Sequence, residues 1–262
     1  MAKHDFETLI DRTGLGSAKW AAMHRANPAV PAGIPPFSVA DLDLANAPEI
    51  MQGLKAFLDH AVLGYTMPTP AYTQAVIDWM QRRHAWAIEP EWIVQTSGVV
   101  PALATAIRAF SAPGEGVIVQ PPVYYPFYSV IEANARRVVR NPLRLEDGHY
   151  RMDFDGLRRL AADPSNTLLM LCSPHNPVGR VWTADELSQL ASIVLEHELI
   201  LVSDEIHFDL VLPGHRHTVI STLGADIAQR SVVCTAPSKT FNLAGMSTSN
   251  SVIQDVDLRT RF

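Results

Sequence analysis

Short runs of β-forming residues alternate with longer stretches of helical spacing along most of this chain, and that alternation limits the fold more than any other feature. The runs WIVQTS (92–97), GVIVQ (116–120), RRVVR (136–140), TLLMLC (167–172), LILVSDE (199–205), SVVCT (231–235) and NSVI (250–253) read as strands. VPALATAIRAF and TADELSQLASIVLEHE follow turn residues and carry apolar residues at helical spacing. The pattern predicts an α/β fold built on a mostly parallel, doubly wound sheet of these seven strands. In the second helix Thr183 is the expected N-cap and Glu186 its capping-box partner, which marks a crossover helix between two parallel strands. Ahead of the first strand, NPAVPAGIPPFSVADLDLANAPEI is dense in Pro and Gly and reads as an extended segment covering another surface. A helical pattern from Pro48 then opens the larger domain, so the expected division is an N-terminal segment, 1–47, and a large domain, 48–262.

Composition enters as a filter. With 262 residues, 47% hydrophobic and 18% charged, the chain can bury a sizeable core. A formal net charge of −6 and the lack of any long Lys/Arg run argue against a nucleic-acid or anionic-membrane surface and favour a small-molecule partner. The two cysteines, Cys172 and Cys234, each lie in an apolar run, which predicts core thiols in a reducing compartment rather than a disulfide framework. The first twenty residues hold no apolar signal region and no segment reaches membrane-spanning length, so the expected location is the cytoplasm.

In an open parallel sheet, chemistry collects at the carboxyl ends of the strands. After the first strand come Gly98, Val99 and Val100 and then a helix, placing backbone N–H groups and a helix dipole where a phosphate can sit. Tyr124 follows the second strand, Asn176 the fourth, Asp204 ends the fifth, and Ser238 and Lys239 follow the sixth. A phosphate seat, an aromatic plate, an amide, a carboxylate and a lysine on one sheet edge match the needs of pyridoxal 5′-phosphate. The lysine forms the covalent link and the carboxylate keeps the pyridine nitrogen protonated. Taken singly, each has an ordinary reading: Asn176 before a proline as a turn, Asp204 as a helix cap, Tyr124 as core. Their shared location favours the cofactor.

The strings CSPHNPVGRVWTADEL, VSDEIHFDL and APSKTFNLAG resemble the fold-type I pyridoxal-phosphate enzymes, and most closely the cystathionine β-lyase-like C–S lyases of the MalY/PatB group. KW near the N-terminus, VADLDL, LGYTMP, GVVPAL and PPVYYPF extend the likeness over nearly the whole chain. The resemblance implies an aspartate-aminotransferase-like large domain. It implies that Lys239 carries the cofactor, Asp204 pairs with its ring nitrogen, Asn176 bonds its ring hydroxyl and Tyr124 stacks on it. Gly98, Val99, Val100 and Ser238 would hold the phosphate, His207 would join the cofactor contacts, and Tyr65 would reach the phosphate of the neighbouring subunit in a homodimer. The catalytic residues would then be Lys239, Asp204 and Tyr124.

The implied reaction is removal of the α-proton of an amino acid, with expulsion of a β-thiolate and release of pyruvate and ammonia. Transamination on the same residues, or a non-catalytic regulatory role, are the alternatives. Two departures stand out. Leu42-Asp43-Leu44 replaces the usual Met-Asp-Phe, and no residue here matches the arginine that a C-terminal small domain supplies to the substrate carboxylate, so that domain is expected to be missing from this chain. The cluster His207, His215, His217, Asp204 and Asp209 raises a metal site, but PGHRH reads as a solvated loop and no metal is expected. Asp41 and Asp43 have strand spacing onto one face and could be taken for a catalytic carboxylate pair, but one of them is expected to cap or bond nearby backbone.

Overall fold

The computed structural model describes residues 4–262. It forms two compact units, one comprising the described residues through Met67 together with Phe241–Met246, the other Pro68–Thr240 with Ser247–Phe262. No helix of the described residues is long and apolar enough to cross a membrane.

The larger unit is built on strands β1 (Ile93–Thr96), β2 (Gly116–Val119), β3 (Arg137–Arg140), β4 (Arg144–Glu146), β5 (His149–Arg151), β6 (Asn166–Cys172), β7 (Ile200–Asp204), β8 (Ser231–Thr235) and β9 (Ser249–Ile253). Seven of them form one sheet in the order β1-β9-β8-β7-β6-β2-β3. Strands β3, β2, β6, β7 and β8 are mutually parallel, whereas β9 runs antiparallel to both β8 and β1. Two reversals restore direction, so β1 points the same way as β8 and its carboxyl end lies on the same edge. All seven expected strands are present.

Buried side chains alternate between two cores, as the two-residue period of a strand requires. Leu168, Met170 and Cys172 of β6 join one core, and Leu169 and Leu171 the other. The first core is closed by the helix Val99–Phe110, whose Val99, Ala102, Leu103, Ala106, Ile107 and Phe110 recur at helical spacing and form one buried stripe. The helix Ala184–Glu196 closes the second with Leu187, Leu190, Ala191, Ile193 and Val194. Its expected cap is present: Glu186 N–H donates to Thr183 Oγ1 at 3.2 Å and Thr183 N–H to Glu186 Oε2 at 2.9 Å.

A hairpin, β4 with β5, was not among the expected strands. Its turn residues Asp147 and Gly148 have φ of 49° and 76°, the left-handed pair that an Asp-Gly turn supplies between two antiparallel strands.

In the smaller unit, Asp41 and Asp43 lie outside any strand and bind side chains rather than capping backbone. Arg12 reaches Asp41 at 2.9 Å and Asp43 at 3.3 Å, Lys19 reaches Asp43 at 2.8 Å, and Trp20 Nε1 donates to Asp43 Oδ1 at 2.9 Å. The reason is burial: Lys19 and Asp43 are both withdrawn from water and must be paired. Burial alone would raise the Asp43 carboxyl, but the bonds from Lys19, Trp20 and Arg12 hold it below its ordinary value. Asn242 and Asn46 fasten this stretch to Phe241–Met246: Asn242 Nδ2 donates to the Leu42 carbonyl at 3.0 Å, and Asn46 Nδ2 to the carbonyls of Phe241 and Asn242 at 2.9 Å.

Candidate functional site

The carboxyl edge of the main sheet carries Gly98, Tyr124, Asn176, Asp204 and Lys239, each at or just after the end of a strand. Cys172, Asp204 and Cys234 stand in register on adjacent strands β6, β7 and β8, so Asp204 ends its strand between two buried thiols. Burial there pushes its carboxyl up to about 7, and the like charge of Glu205 adds to the rise. The Ile206 N–H, donating at 3.1 Å, and the nearby Lys239 charge pull the other way without cancelling it. Both thiols are in turn held protonated by burial and by the Asp204 charge, with Cys234 pushed up to about 12.

Lys239 sits in a short helix, Pro237–Thr240, directly after β8. Its charge acts on both Asp204 and His207, and burial followed by that charge lowers the His207 imidazole, favouring its neutral form. Tyr124 is half-buried after β2; burial raises its phenol, with smaller contributions from Tyr125, Asp204 and Cys172, so it belongs to the same neighbourhood.

After β1, Gly98 adopts φ 132°, a conformation that favours glycine, and opens the helix Val99–Phe110. The turn is fixed from β9: Gly98 N–H donates to Ser249 Oγ at 3.1 Å, and Ser249 Oγ lies 2.6 Å from Thr96 Oγ1. The helix start, with the amides of Val99 and Val100, therefore faces the same edge.

Asn176 is held by a scaffold rather than by its own contacts. Asn176 N–H donates to Cys172 Sγ at 3.4 Å, His175 N–H to the Arg180 carbonyl at 2.7 Å, and Trp182 Nε1 to the Cys172 carbonyl at 3.0 Å. Arg180 stacks over Trp182 at 4.6 Å, grips Glu186 with a two-pronged pair at 2.7 and 2.8 Å, and bonds the Tyr150 carbonyl. Burial lowers the His175 imidazole to about 4, so it is neutral and donates from Nε2 to the Pro122 carbonyl at 2.9 Å.

Several residues at this edge carried no signal in the sequence reading. Tyr72 donates to Asn250 Oδ1 at 2.8 Å, and Asn250 pairs with Thr235 at the end of β8. An antiparallel strand brings its start, not its end, to the carboxyl edge, so Ser249 and Asn250 were invisible to a search of strand ends. His217 is a correction: it is buried, 2.6 Å from Glu205 Oε2, because a carboxylate with no exposure needs a partner, while His215 stays exposed. Tyr65 is fully exposed in the smaller unit.

With this geometry in place, comparison with known proteins is decisive. The model of the family "Aminotransferase class I and II" matches residues 36–258. The chain belongs to that family. Cystathionine β-lyase PatB of Bacillus subtilis is 45% identical over 98% of this chain and 66% of its own length. Protein MalY of Escherichia coli is 32% identical over 98% of this chain and 65% of its own. Cystalysin from Treponema denticola, whose crystal structure contains a pyridoxal 5′-phosphate cofactor, superposes with a TM-score of 0.97 at 49% identity, covering 99% of this chain and 66% of that one. The chain thus spans just under two thirds of the length of these relatives.

Proposed function

We propose that this chain holds pyridoxal 5′-phosphate on Lys239 and belongs to a C–S β-lyase that cleaves cystathionine or related cysteine S-conjugates. The observation that carries the reading is Asp204. A carboxyl forced to about 7 by burial between two thiols is poorly matched to a lone acid and well matched to a cationic ring nitrogen placed against it. The donor set around it fits the rest of the cofactor in kind: a lysine, an amide, a half-buried phenol and a helix start. The names of the relatives supply the reaction class.

Bound pyridoxal phosphate supplies an electron sink for charge at the α-carbon of an amino acid. The chain's own residues do the rest. Asp204 would keep a proton on the ring nitrogen, Asn176 would donate to the ring oxygen, and Tyr124 would pack against the ring. Gly98, Val99, Val100 and Ser238 would hold the phosphate through backbone N–H and hydroxyl groups, with the helix dipole in their favour. Lys239 would be released from the cofactor when the substrate amine takes its place, and its freed Nζ would then accept the proton from the substrate α-carbon, with neutral His207 beside it adding no charge. Cystathionine and one water leave as homocysteine, pyruvate and ammonia.

The homodimer belongs to this proposal. Tyr65 stands with Val62, Leu63 and Met67 in a run of exposed apolar side chains, the composition of a surface that another protein covers. In the dimer Tyr65 would donate to the phosphate in the neighbouring copy. By role rather than by packing, residues 1–47 serve the small domain and interface and 48–262 the cofactor. Two buried free cysteines favour a cytoplasmic setting.

Borohydride reduction of the cofactor-loaded protein followed by peptide mapping should label Lys239, and cystathionine should yield pyruvate with no added 2-oxo acid. Label on another lysine defeats the cofactor assignment. Product that forms only when a 2-oxo acid is supplied replaces lyase with aminotransferase.

A further inference from the structure

The segment that ends in Asp209 is tied down by two acid–histidine pairs four residues apart. Glu205 meets His217, and Asp209 Oδ1 lies 2.8 Å from His84 Nε2. Both side chains of the second pair are almost wholly buried, at 3% and 5% exposure. The His84 ring lies flat on Phe208 with centroids 4.1 Å apart, and Trp79 Nε1 donates to Asp209 Oδ2 at 3.0 Å. The remaining contact points toward the site: Thr240 Oγ1 donates to Asp209 Oδ2 at 2.7 Å.

Thr240 is the last residue of the helix Pro237–Thr240 and the neighbour of Lys239. A single turn of helix has too few internal bonds to hold its own orientation. Its bearing must come from outside contacts, and a hydroxyl bonded to a buried carboxylate is a strong one. A lysine adds four rotatable bonds beyond its backbone, so a small rotation of that turn displaces the amine widely.

We infer that the His84–Asp209 pair positions Lys239: by fixing Thr240 it sets the direction in which the Lys239 amine is offered at the carboxyl edge of the sheet. This rests on the assignment of Lys239 as the cofactor lysine. Asp209 is suited to the task because it stays ionised. Burial opposes ionisation, but the bonds from His84, Thr240 and Trp79 and the charge of His84 together hold its carboxyl below the ordinary value. His84, which ends the helix Pro70–His84, acts through Asp209.

The test compares full-length native protein with Thr240→Val, Thr240→Ser, Asp209→Asn and the Thr240→Val/Asp209→Asn double variant. Two quantities are read: the rate at which added pyridoxal phosphate is captured, followed by visible absorbance and confirmed by borohydride mapping, and the pH midpoint of that absorbance. Thr240→Val, which keeps shape and loses only the hydroxyl, should slow capture about tenfold, the worth of one charge-assisted hydrogen bond. It should also move the midpoint. Thr240→Ser should restore both, and the double variant should be no slower than the worse single one. Native capture and midpoint in Thr240→Val, or additive losses in the double variant, overturn the inference while leaving Lys239 as the labelled lysine. Label on a different lysine in the native protein overturns the cofactor assignment itself, and the positioning role with it.

Discussion

Replacing Asp204 with asparagine should stabilise the cofactor-free protein, and the gain should depend on pH in a way that only this carboxyl can produce. Asp204 titrates at about 7 in the fold against 3.8 for a free carboxyl. Between those values the folded protein holds a proton that the unfolded chain releases, so native stability falls as pH rises through the window and the full penalty is present above about 7. Each pH unit is worth about 1.4 kcal/mol, which sets a ceiling of about 4 kcal/mol on the whole effect. Asparagine has the same shape and no charge. Its buried amide adds a constant term of its own, and groups common to both proteins cancel in the difference. The diagnostic is therefore the slope. Urea unfolding of both proteins between about pH 5 and about pH 8 should show the asparagine variant gaining on the native protein by up to about 1.4 kcal/mol per pH unit, then levelling off near pH 7. A difference that is flat across this range, or that shrinks as pH rises, refutes the account of Asp204 as a desolvated carboxyl. With the ring nitrogen against Asp204 as proposed, saturating pyridoxal phosphate should reverse the order, because it sets a cation directly against the native carboxylate and gives asparagine nothing equivalent.

Two further outcomes test the scaffold. His217→Ala takes from the buried Glu205 Oε2 its partner at 2.6 Å, leaving Ser203 Oγ at 2.9 Å and the Ile220 N–H at 3.2 Å on Oε1, and should cost about 3 kcal/mol in urea unfolding, far more than the loss of a loop residue. Thr183→Ala removes the N-cap of the helix Ala184–Glu196 and should cost about 1 kcal/mol, read as a lowered thermal midpoint with cofactor capture unchanged.

The fold was legible because its strands are short, apolar and punctuated. β6 and β7 are buried on both faces, so TLLMLC and LILVS announce themselves as continuous runs, and the turn residues between them bound each element. The hairpin β4–β5 was harder: three-residue strands carrying Arg144, Glu146, His149 and Arg151 have little apolar pattern, and only Asp147-Gly148 marked the turn. Direction along the sheet was harder still. Nothing in NSVI distinguishes an antiparallel strand from a parallel one, which is why Ser249 and Asn250 escaped notice although they border the site.

The site was legible where chemistry depends on chain position and illegible where it depends on partners brought from afar. Lys239, Asp204, Asn176 and Tyr124 each follow or end a strand, and the rule that active groups cluster at carboxyl ends finds them with no knowledge of contacts. His217 and Asp209 obey no such rule. His217 lies in a segment rich in Gly, His and Arg that reads as solvated, yet its ring closes on Glu205, and Asp209 draws His84 and Trp79 from 125 and 130 residues away. Even within the motif string PHNPVGRVW three residues serve as framework: His175, Arg180 and Trp182 bond backbone and each other around Asn176. A spacing rule locates the groups proposed to touch the cofactor. The larger number that aim those groups answer to burial and pairing, which the chain settles only when it folds.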